Sequence, residues 1–326
     1  MSRRPFRLPR LLALALLGAA LVAPPAPAVA QQDECCALLL IPVGARSSAL
    51  LGAITARAGA DAVFRNPAGL ADLPSNAFVI HHSDIAADQQ IEAFSLLLTP
   101  FNSTIGITYQ LFDKGDIEST DAANRTIGVL KVRDHLLVGT FSTGLGAGLS
   151  AGVSYKVFQQ RIDCTGLCSS SEYAAITQAV DAGVRYTPEW EPGLELGIAI
   201  VNAGLDVQVE NAAQADPFPG RLHLGIAYDV LSSLPTDSTL ALRVAVEGRD
   251  RLLEPGSPTV AFGLELDIQR AVFVRAGWAP GKGLGSGAAV GLELRYDRFD
   301  IGVSRSFVRS SLDENEPFQI SLGLNF

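Results

Sequence analysis

The strongest constraint on this chain is a two-residue rhythm. Phe318, Ile320, Leu322, Leu324 and Phe326 alternate with Gln319, Ser321, Gly323 and Asn325. A period of two is a strand with one apolar face and one small or polar face. The same rhythm recurs upstream at 76–83, 90–98, 104–112, 135–143, 147–160, 173–186, 194–202, 220–230, 238–249, 258–268, 271–278, 287–296, 298–307 and finally 317–326, which makes fourteen predicted strands. Thr126 to Arg133 reads either as an additional strand or as part of a long loop.

The connections alternate in length. Residues 99–102, 143–146, 268–270 and 296–298 are short turns, whereas 113–134, 161–172, 203–219, 250–257, 279–286 and 308–316 are longer links. The turns at 187–193 and 231–237 are longer than this rule prefers. Short turns at one end and long loops at the other are the layout of outer-membrane barrels. A water-solvated sheet sandwich shows the same alternation, but the number and length of the strands favour a membrane barrel. The predicted fold is therefore all-β, a transmembrane antiparallel barrel of about fourteen strands.

Composition agrees. The chain is 48% hydrophobic with mean hydropathy +0.25. Past residue 30, no apolar run reaches the roughly 20 residues that a spanning helix needs. Many short amphipathic strands accommodate that apolar content.

Residues 1–30 read as a secretory signal peptide: Arg3, Arg4, Arg7 and Arg10, then the apolar run Leu11 to Val22, then Ala28-Val29-Ala30 before Gln31. Ser2-Arg3-Arg4-Pro5-Phe6 resembles a twin-arginine signal, but a barrel crosses the inner membrane unfolded, which suits the general route. Removing four Arg takes the net charge from −9 to −13. An acidic chain without a basic stripe argues against nucleic acid as a partner.

Alternation also assigns faces. Leu240, Leu242, Val244 and Val246 oppose Arg243, Glu247 and Arg249. Val260, Phe262, Leu264, Leu266 and Ile268 oppose Glu265 and Asp267. Val272, Val274 and Trp278 oppose Arg275, and Val290, Leu292 and Leu294 oppose Glu293 and Arg295. Arg or Lys facing lipid at the midplane costs about 2–4 kcal/mol. The charges therefore point into the lumen, either paired with one another or anchoring a lumenal segment.

That segment is 31–75, ahead of the barrel at 76–326. It is rich in Ala and Gly and does not alternate. Ser47 or Ser48 is placed to cap a short helix running to about Ala58. Asn66-Pro67 stops any helix, and Gly69 permits a turn.

Four cysteines fit an oxidising compartment. Cys164 and Cys168 bracket three residues of a loop and are expected to form a disulfide. Cys35 and Cys36 are adjacent, which leaves a vicinal disulfide, pairing with another chain and the free state all open.

No catalytic, cofactor or metal site is predicted. His81-His82-Ser83-Asp84 is contiguous on a strand end, and consecutive strand residues face opposite ways, so the four cannot converge. A wet extracellular rim is the expected place for them. His135 and His223 lie in separate strands without ligand neighbours. Gly281-Lys282-Gly283-Leu284-Gly285-Ser286-Gly287 is glycine-rich, but it lacks the Lys-Ser/Thr pair and following helix of a phosphate loop.

The stretch Gly44-Ala45-Arg46, Leu51-Gly52, Asp61-Ala62 and Phe64-Arg65-Asn66-Pro67-Ala68-Gly69-Leu70 resembles the PorV/PorQ family. That family is related to the FadL-type barrels for hydrophobic compounds, which share the Asn-Pro-Ala element. The resemblance implies that residues 43–73 fold into the lumen as a plug carrying Gly44, Ala45, Arg46, Asn66, Pro67, Ala68 and Gly69. The sequence departs from that pattern at Arg57-Ala58-Gly59, where relatives more often carry acids, and at Arg65, where an aromatic is common. The last strand resembles the C-terminal strand that the barrel assembly machinery reads, so Phe318, Ile320, Leu322, Leu324 and Phe326 are the expected insertion signal into outer-membrane lipid.

The resemblance implies a non-enzymatic component or cargo shuttle of type IX-like protein secretion and surface attachment. Secretion-system components and cargo proteins would be its partners, met by loops 113–134, 161–172 and 203–219 and by Phe112, Leu205, Pro217, Phe218 and Pro219. The alternative is a FadL-like channel for passive uptake of hydrophobic small molecules. That reading expects the Asn66-Pro67-Ala68 plug to shift, and a continuous apolar pocket beneath it.

Overall fold

The computed structural model describes residues 34–86, 88–168, 173–208, 215–232, 239–281, 286–307 and 316–326. The secretory signal and the residues Lys282 to Gly285 lie outside them.

Fourteen strands follow one another around a closed barrel. They are β1 (Ala77–Ala86), β2 (Gln89–Leu98), β3 (Ser103–Thr120), β4 (Thr126–Gly146), β5 (Leu149–Gly166), β6 (Tyr173–Tyr186) and β7 (Leu194–Gly204). The second half is β8 (Arg221–Asp229), β9 (Leu240–Arg251), β10 (Thr259–Ile268), β11 (Val272–Ala279), β12 (Gly287–Tyr296), β13 (Phe299–Phe307) and β14 (Phe318–Asn325). Each strand pairs antiparallel with its sequence neighbours. β1 meets β14 in the register Ala77↔Asn325 to Asp84↔Phe318, which closes the ring.

Three strands exceed the sequence reading. β3, β4 and β5 run for 18, 21 and 18 residues, whereas a tilted strand crosses a bilayer in about 9–11. Thr126 to Arg133, left undecided by sequence, is the outer part of β4. It pairs with Asp116–Thr120 of β3 and with Arg161–Gly166 of β5. Ile127 and Val129 share a face with Lys131 and Arg133, while Leu130 and Val132 lie on the other, so apolar residues fall on both faces and no clean rhythm marks it. At the hairpin tip, the main chain and side chain of Arg125 both donate to Asp121. With a further bond from Ala123, they hold that carboxyl below the usual carboxylate range.

The faces divide as the alternation requires. Glu247, Glu265, Asp267 and Arg275 are buried on the inner face, while Leu240, Leu264, Val274, Trp278, Val290, Leu292 and Leu294 are exposed outside. On β14, Phe318, Leu322 and Phe326 are exposed, and Gln319 turns inward to donate to the Pro42 carbonyl at 2.9 Å.

Residues 42–73 touch the inner face on every side. Helix α1 (Ala45–Ala49) packs against β11 to β14, and the 3-10 turn Pro67–Leu70 packs against β4 to β6. The wall is glycine where the segment presses closest. A Cβ at Gly291 would meet Ala49 Cβ at 2.6 Å, and one at Gly183 would meet Asn66 Oδ1 at 2.0 Å.

The helix differs from expectation. It ends at Ala49 rather than near Ala58, because Leu51 and Gly52 take left-handed φ of 49° and 76°. Gly44, not a serine, precedes it. Ser47 and Ser48 are buried within it, and Ser48 Oγ lies 3.2 Å from Ser306 Oγ.

Candidate functional site

The lumen has three zones. At the short-turn end lies an ion-pair network centred on Glu265. Its carboxylate meets Arg57 Nη2 at 2.9 Å, Arg275 Nε at 2.7 Å, Arg243 Nη1 at 3.2 Å and Arg46 Nε at 3.5 Å. Arg275 continues to Glu293 at 2.8 Å, and Glu293 to Arg295 at 3.1 Å. Arg243 also reaches Asp267 at 3.3 Å. The Phe273 ring receives Arg275 and Arg295 at 5.1 and 4.9 Å, within cation–π range.

Sequence placed Arg243, Glu265, Asp267, Arg275, Glu293 and Arg295 together on the inner face, and the structure joins them. It also shows that the two expected roles coexist: the charges pair with one another and they hold the lumenal segment. Sequence missed Arg57, Arg185 and Glu195. Arg57 Nη1 meets Glu195 at 3.0 Å, and Arg185 binds Glu195 at 2.8 Å, the Ala56 carbonyl at 2.7 Å and Asp72. Arg185 and Glu195 sit opposite Val184 and Leu196 in their strands, the signal that found the others.

Glu247 stands apart from that network. Its Oε2 accepts from Ile54 N at 3.0 Å and Thr55 N at 2.9 Å, and its Oε1 from Arg249 Nε at 2.8 Å. His223, given no partner by sequence, points Nδ1 at the same oxygen from 3.1 Å.

At the same end, across the lumen against β4 to β6, sits the Asn66-Pro67-Ala68-Gly69 turn. Asn66 Oδ1 accepts from Ala68 N at 3.1 Å, while Nδ2 donates to Thr55 O at 2.7 Å and Val184 O at 3.2 Å. Thr104 Oγ1 donates to the Leu70 carbonyl at 2.7 Å. Pro67 opens the turn, where its missing N–H costs nothing. A Cβ at Gly69 would strike the Arg57 carbonyl at 2.5 Å. On the helix side, Ala45 N donates to Ser321 Oγ at 2.7 Å, and Arg46 Nη1 to Ala58 O at 2.8 Å and Asp61 at 3.0 Å.

The upper level, toward the long loops, is apolar. Ile85, Ile91, Phe112, Leu136, Val138, Phe158, Ala175, Ala179, Val207 and Phe218 form one buried cluster. Phe158 and Phe218 meet edge to face at 5.5 Å. Cys35, Cys36, Leu38, Leu39 and Ile41 pack into it, and Glu34 anchors that strap to Arg221 at 2.5 Å. The cations bordering the cluster are paired: Lys156 with Asp181 at 2.7 Å and Asn202 at 2.7 Å, and Lys114 with Asp134 at 2.8 Å.

This corrects two expectations. Phe112, Phe218 and Pro219 are buried in the barrel rather than displayed on a loop surface, while Leu205 and Pro217 are exposed. The apolar zone lies on the long-loop side of the turn, and the ion pairs lie across the lumen from it. The apolar zone is thus above the turn rather than beneath it. A separate concavity of about 450 Å³, lined by Phe141, Val153, Val184, Ile198 and Ile200, opens on the outer face behind the Asn66 turn.

His81 is buried rather than on a wet rim, with Nδ1 2.8 Å from Ser321 Oγ, and Ser83 is buried beside it. His82 and Asp84 face outward, where His82 contacts Glu92, so the four residues do not converge. His135 contacts Tyr109 OH at 2.7 Å. Cys164 and Cys168 form the expected disulfide, and Cys35 and Cys36 form a vicinal one, which resolves the alternatives left open by sequence.

Solved structures share this architecture. The Pseudomonas putida toluene transporter TodX aligns with a TM-score of 0.59 at 13% identity, covering 87% of this chain and 97% of its own. The monoaromatic hydrocarbon channel CymD gives 0.57 at 14%, covering 88% and 98%. A Pseudomonas aeruginosa FadL homologue gives 0.52 at 12%, covering 88% and 99%. These likenesses show a fold shared with FadL-type barrels and add nothing for PorV/PorQ. No curated protein matches. Residues 22–326 match a family defined by sequence, and the chain belongs to that uncharacterised protein family, UPF0164.

Proposed function

We propose that this chain is a non-enzymatic outer-membrane channel for the passive uptake of hydrophobic small molecules, with residues 31–75 as its plug. The observation that carries the reading is the apolar upper lumen. Ten buried apolar side chains gather inside a barrel, at the long-loop end, above a segment held by polar bonds. A purely structural barrel gains nothing from aligning them with the axis.

The plug fills the lumen, so solute passage requires it to move. Across the lumen from the turn, an apolar solute would displace water or ion pairs around Glu265, which is costly. Beside the turn, the wall thins to Gly152, Gly183 and Ala199 and backs onto the outer concavity. Displacement of the Asn66 turn toward that window is the path the geometry favours. The likeness to TodX and CymD supports a hydrophobic small-molecule cargo.

The export signal, the C-terminal strand and its contact with the barrel assembly machinery belong to the same reading, which places the protein in the outer membrane of a Gram-negative-type bacterium. A secretion shuttle draws no support from the comparisons, and of the apolar residues expected to greet its cargo Phe112, Phe218 and Pro219 are buried. The test is toluene uptake at low external concentration by cells with and without the gene. Uptake several-fold faster with the gene supports a channel. Equal rates, with surface proteins lost from the deletion strain, would return the shuttle.

A further inference from the structure

Residues 34–42 form a strap across the long-loop end of the lumen. Glu34 fixes one end to β8 and β9, with Arg221 Nη1 at 2.9 Å and Arg251 Nε at 3.6 Å. Cys35 N donates to the Pro217 carbonyl at 3.1 Å. At the other end, Gln319 of β14 donates to the Pro42 carbonyl. Between these points Cys35, Cys36, Leu38, Leu39 and Ile41 pack on the apolar cluster. The strap therefore covers the zone that a solute would enter.

The Cys35–Cys36 disulfide fixes the path of the strap at its bend. It closes a small ring through the peptide bond between the two residues, which bars most backbone rotation there. Cys36 is left-handed, at φ 59° and ψ 34°, a conformation that residues with a side chain rarely adopt. From that position its carbonyl accepts from Leu39 N at 2.9 Å and opens the 3-10 turn Ala37–Leu40. The turn sets Leu38 and Leu39 against the cluster. With the ring open, Cys36 is free to return to the right-handed and extended regions. The turn then loses its start, and the strap its register on the cluster. Cys35 and Cys36 are half-buried and Ala37 beside them is exposed, so a small thiol has access.

We propose that the Cys35–Cys36 disulfide is a thiol-sensitive latch on the strap, tight when oxidised and loose when reduced. The reductant is a low-molecular-weight thiol on the long-loop side. One thiolate attacks a sulfur of the pair, giving a mixed disulfide and a free cysteine thiolate, and a second thiol resolves the mixed disulfide. Two electrons and two protons pass from the two thiols to Cys35 and Cys36, and the thiols leave as their own disulfide. Loosening the strap uncovers the apolar cluster and quickens passage. That consequence rests on the uptake reading; the latch itself does not.

The test uses the full mature protein in proteoliposomes, without thiol and with dithiothreitol. Alkylation by iodoacetamide, read by mass spectrometry, reports whether Cys35 and Cys36 have opened. On reduction, amide exchange in residues 35–41 and toluene uptake should each quicken severalfold. Cys35→Ser with Cys36→Ser should show the faster values without thiol and ignore dithiothreitol. Cys164→Ser with Cys168→Ser, which removes the disulfide at the outer end of β5, should respond as wild type does. Cys35 and Cys36 that resist alkylation, or exchange unchanged by their reduction, would overturn the latch. So would toluene uptake that is measurable but equal in both states, or a thiol response retained without Cys35 and Cys36. Faster exchange in a protein that passes no toluene in either state would support the latch and count against the uptake reading alone. If the Cys35→Ser, Cys36→Ser variant does not fold, wild type and the Cys164→Ser, Cys168→Ser variant carry the comparison.

Discussion

Asn66 Nδ2 donates to the Val184 carbonyl across 3.2 Å, tying the plug turn directly to the backbone of the barrel wall. The same side chain holds Thr55 O and Ala68 N. One asparagine thus fastens the turn to the wall, to the preceding segment and to itself.

Asn66→Ala leaves those three main-chain groups without their partners. Each unsatisfied buried group costs about 1–3 kcal/mol. The plug is expected to loosen while the barrel persists. Amide exchange should accelerate in residues 54–70 and stay slow in β9 to β13, and ion conductance in planar bilayers should rise.

Gly183→Leu places a side chain where Asn66 Oδ1 already sits, 2.0 Å from the new Cβ. The wall strand cannot yield without breaking its ladders to β5 and β7. The turn moves instead, so this variant should reproduce the exchange pattern of Asn66→Ala. Gly139→Leu, with open space around its Cβ, is the control expected to change neither measurement.

Glu265→Gln removes the shared carboxylate of four arginines. Breaking a buried ion pair costs about 3–5 kcal/mol. Because Arg46 and Arg57 belong to the plug and Arg243 and Arg275 to the wall, the loss should appear both as plug exchange and as a lower guanidinium midpoint. Asp300→Asn, at the solvent edge of the network, should lower the stability by under about 1 kcal/mol.

Leu264 is exposed on the outer face of β10, midway along the strand. Leu264→Arg should destabilise the vesicle-folded protein by about 2–4 kcal/mol, as arginine does at the midplane. In a water-solvated sheet, the same change would be nearly neutral. Equilibrium unfolding from phospholipid vesicles separates the two.

The barrel was legible because its determinant is local. A strand with one face in lipid must alternate, and each strand declares itself within about ten residues. β10 shows this: Leu264 and Leu266 outward, Glu265 and Asp267 inward, in sequence and structure alike. The outer part of β4 was ambiguous because Ile127 and Val129 share a face with Lys131 and Arg133 while Leu130 and Val132 share the other with Asp134, so neither face reads as apolar. The Asn66-Pro67 stop and the turn after it were legible, but the helix before them was read too long because nothing local announces a left-handed Leu51. The site itself was half legible. Alternation finds which charges face inward, as for Arg243 and Glu293. It cannot show that Glu265 meets Arg57 across 208 positions of chain, nor that Phe218, from a loop, folds back onto Phe158.

The central claim is that solute passes when the plug moves. A Cβ at Gly225 would stand 3.0 Å from Thr55 Cβ, close to the roughly 3.5–4.5 Å of a disulfide. Thr55→Cys with Gly225→Cys should therefore lock to β8 the residue whose carbonyl Asn66 holds. The measurement is toluene uptake into proteoliposomes holding this variant, oxidised and then reduced, beside wild type treated identically. The account predicts uptake abolished on oxidation and restored on reduction, with wild type taking up toluene in both states. Full uptake through the oxidised, locked protein would contradict it.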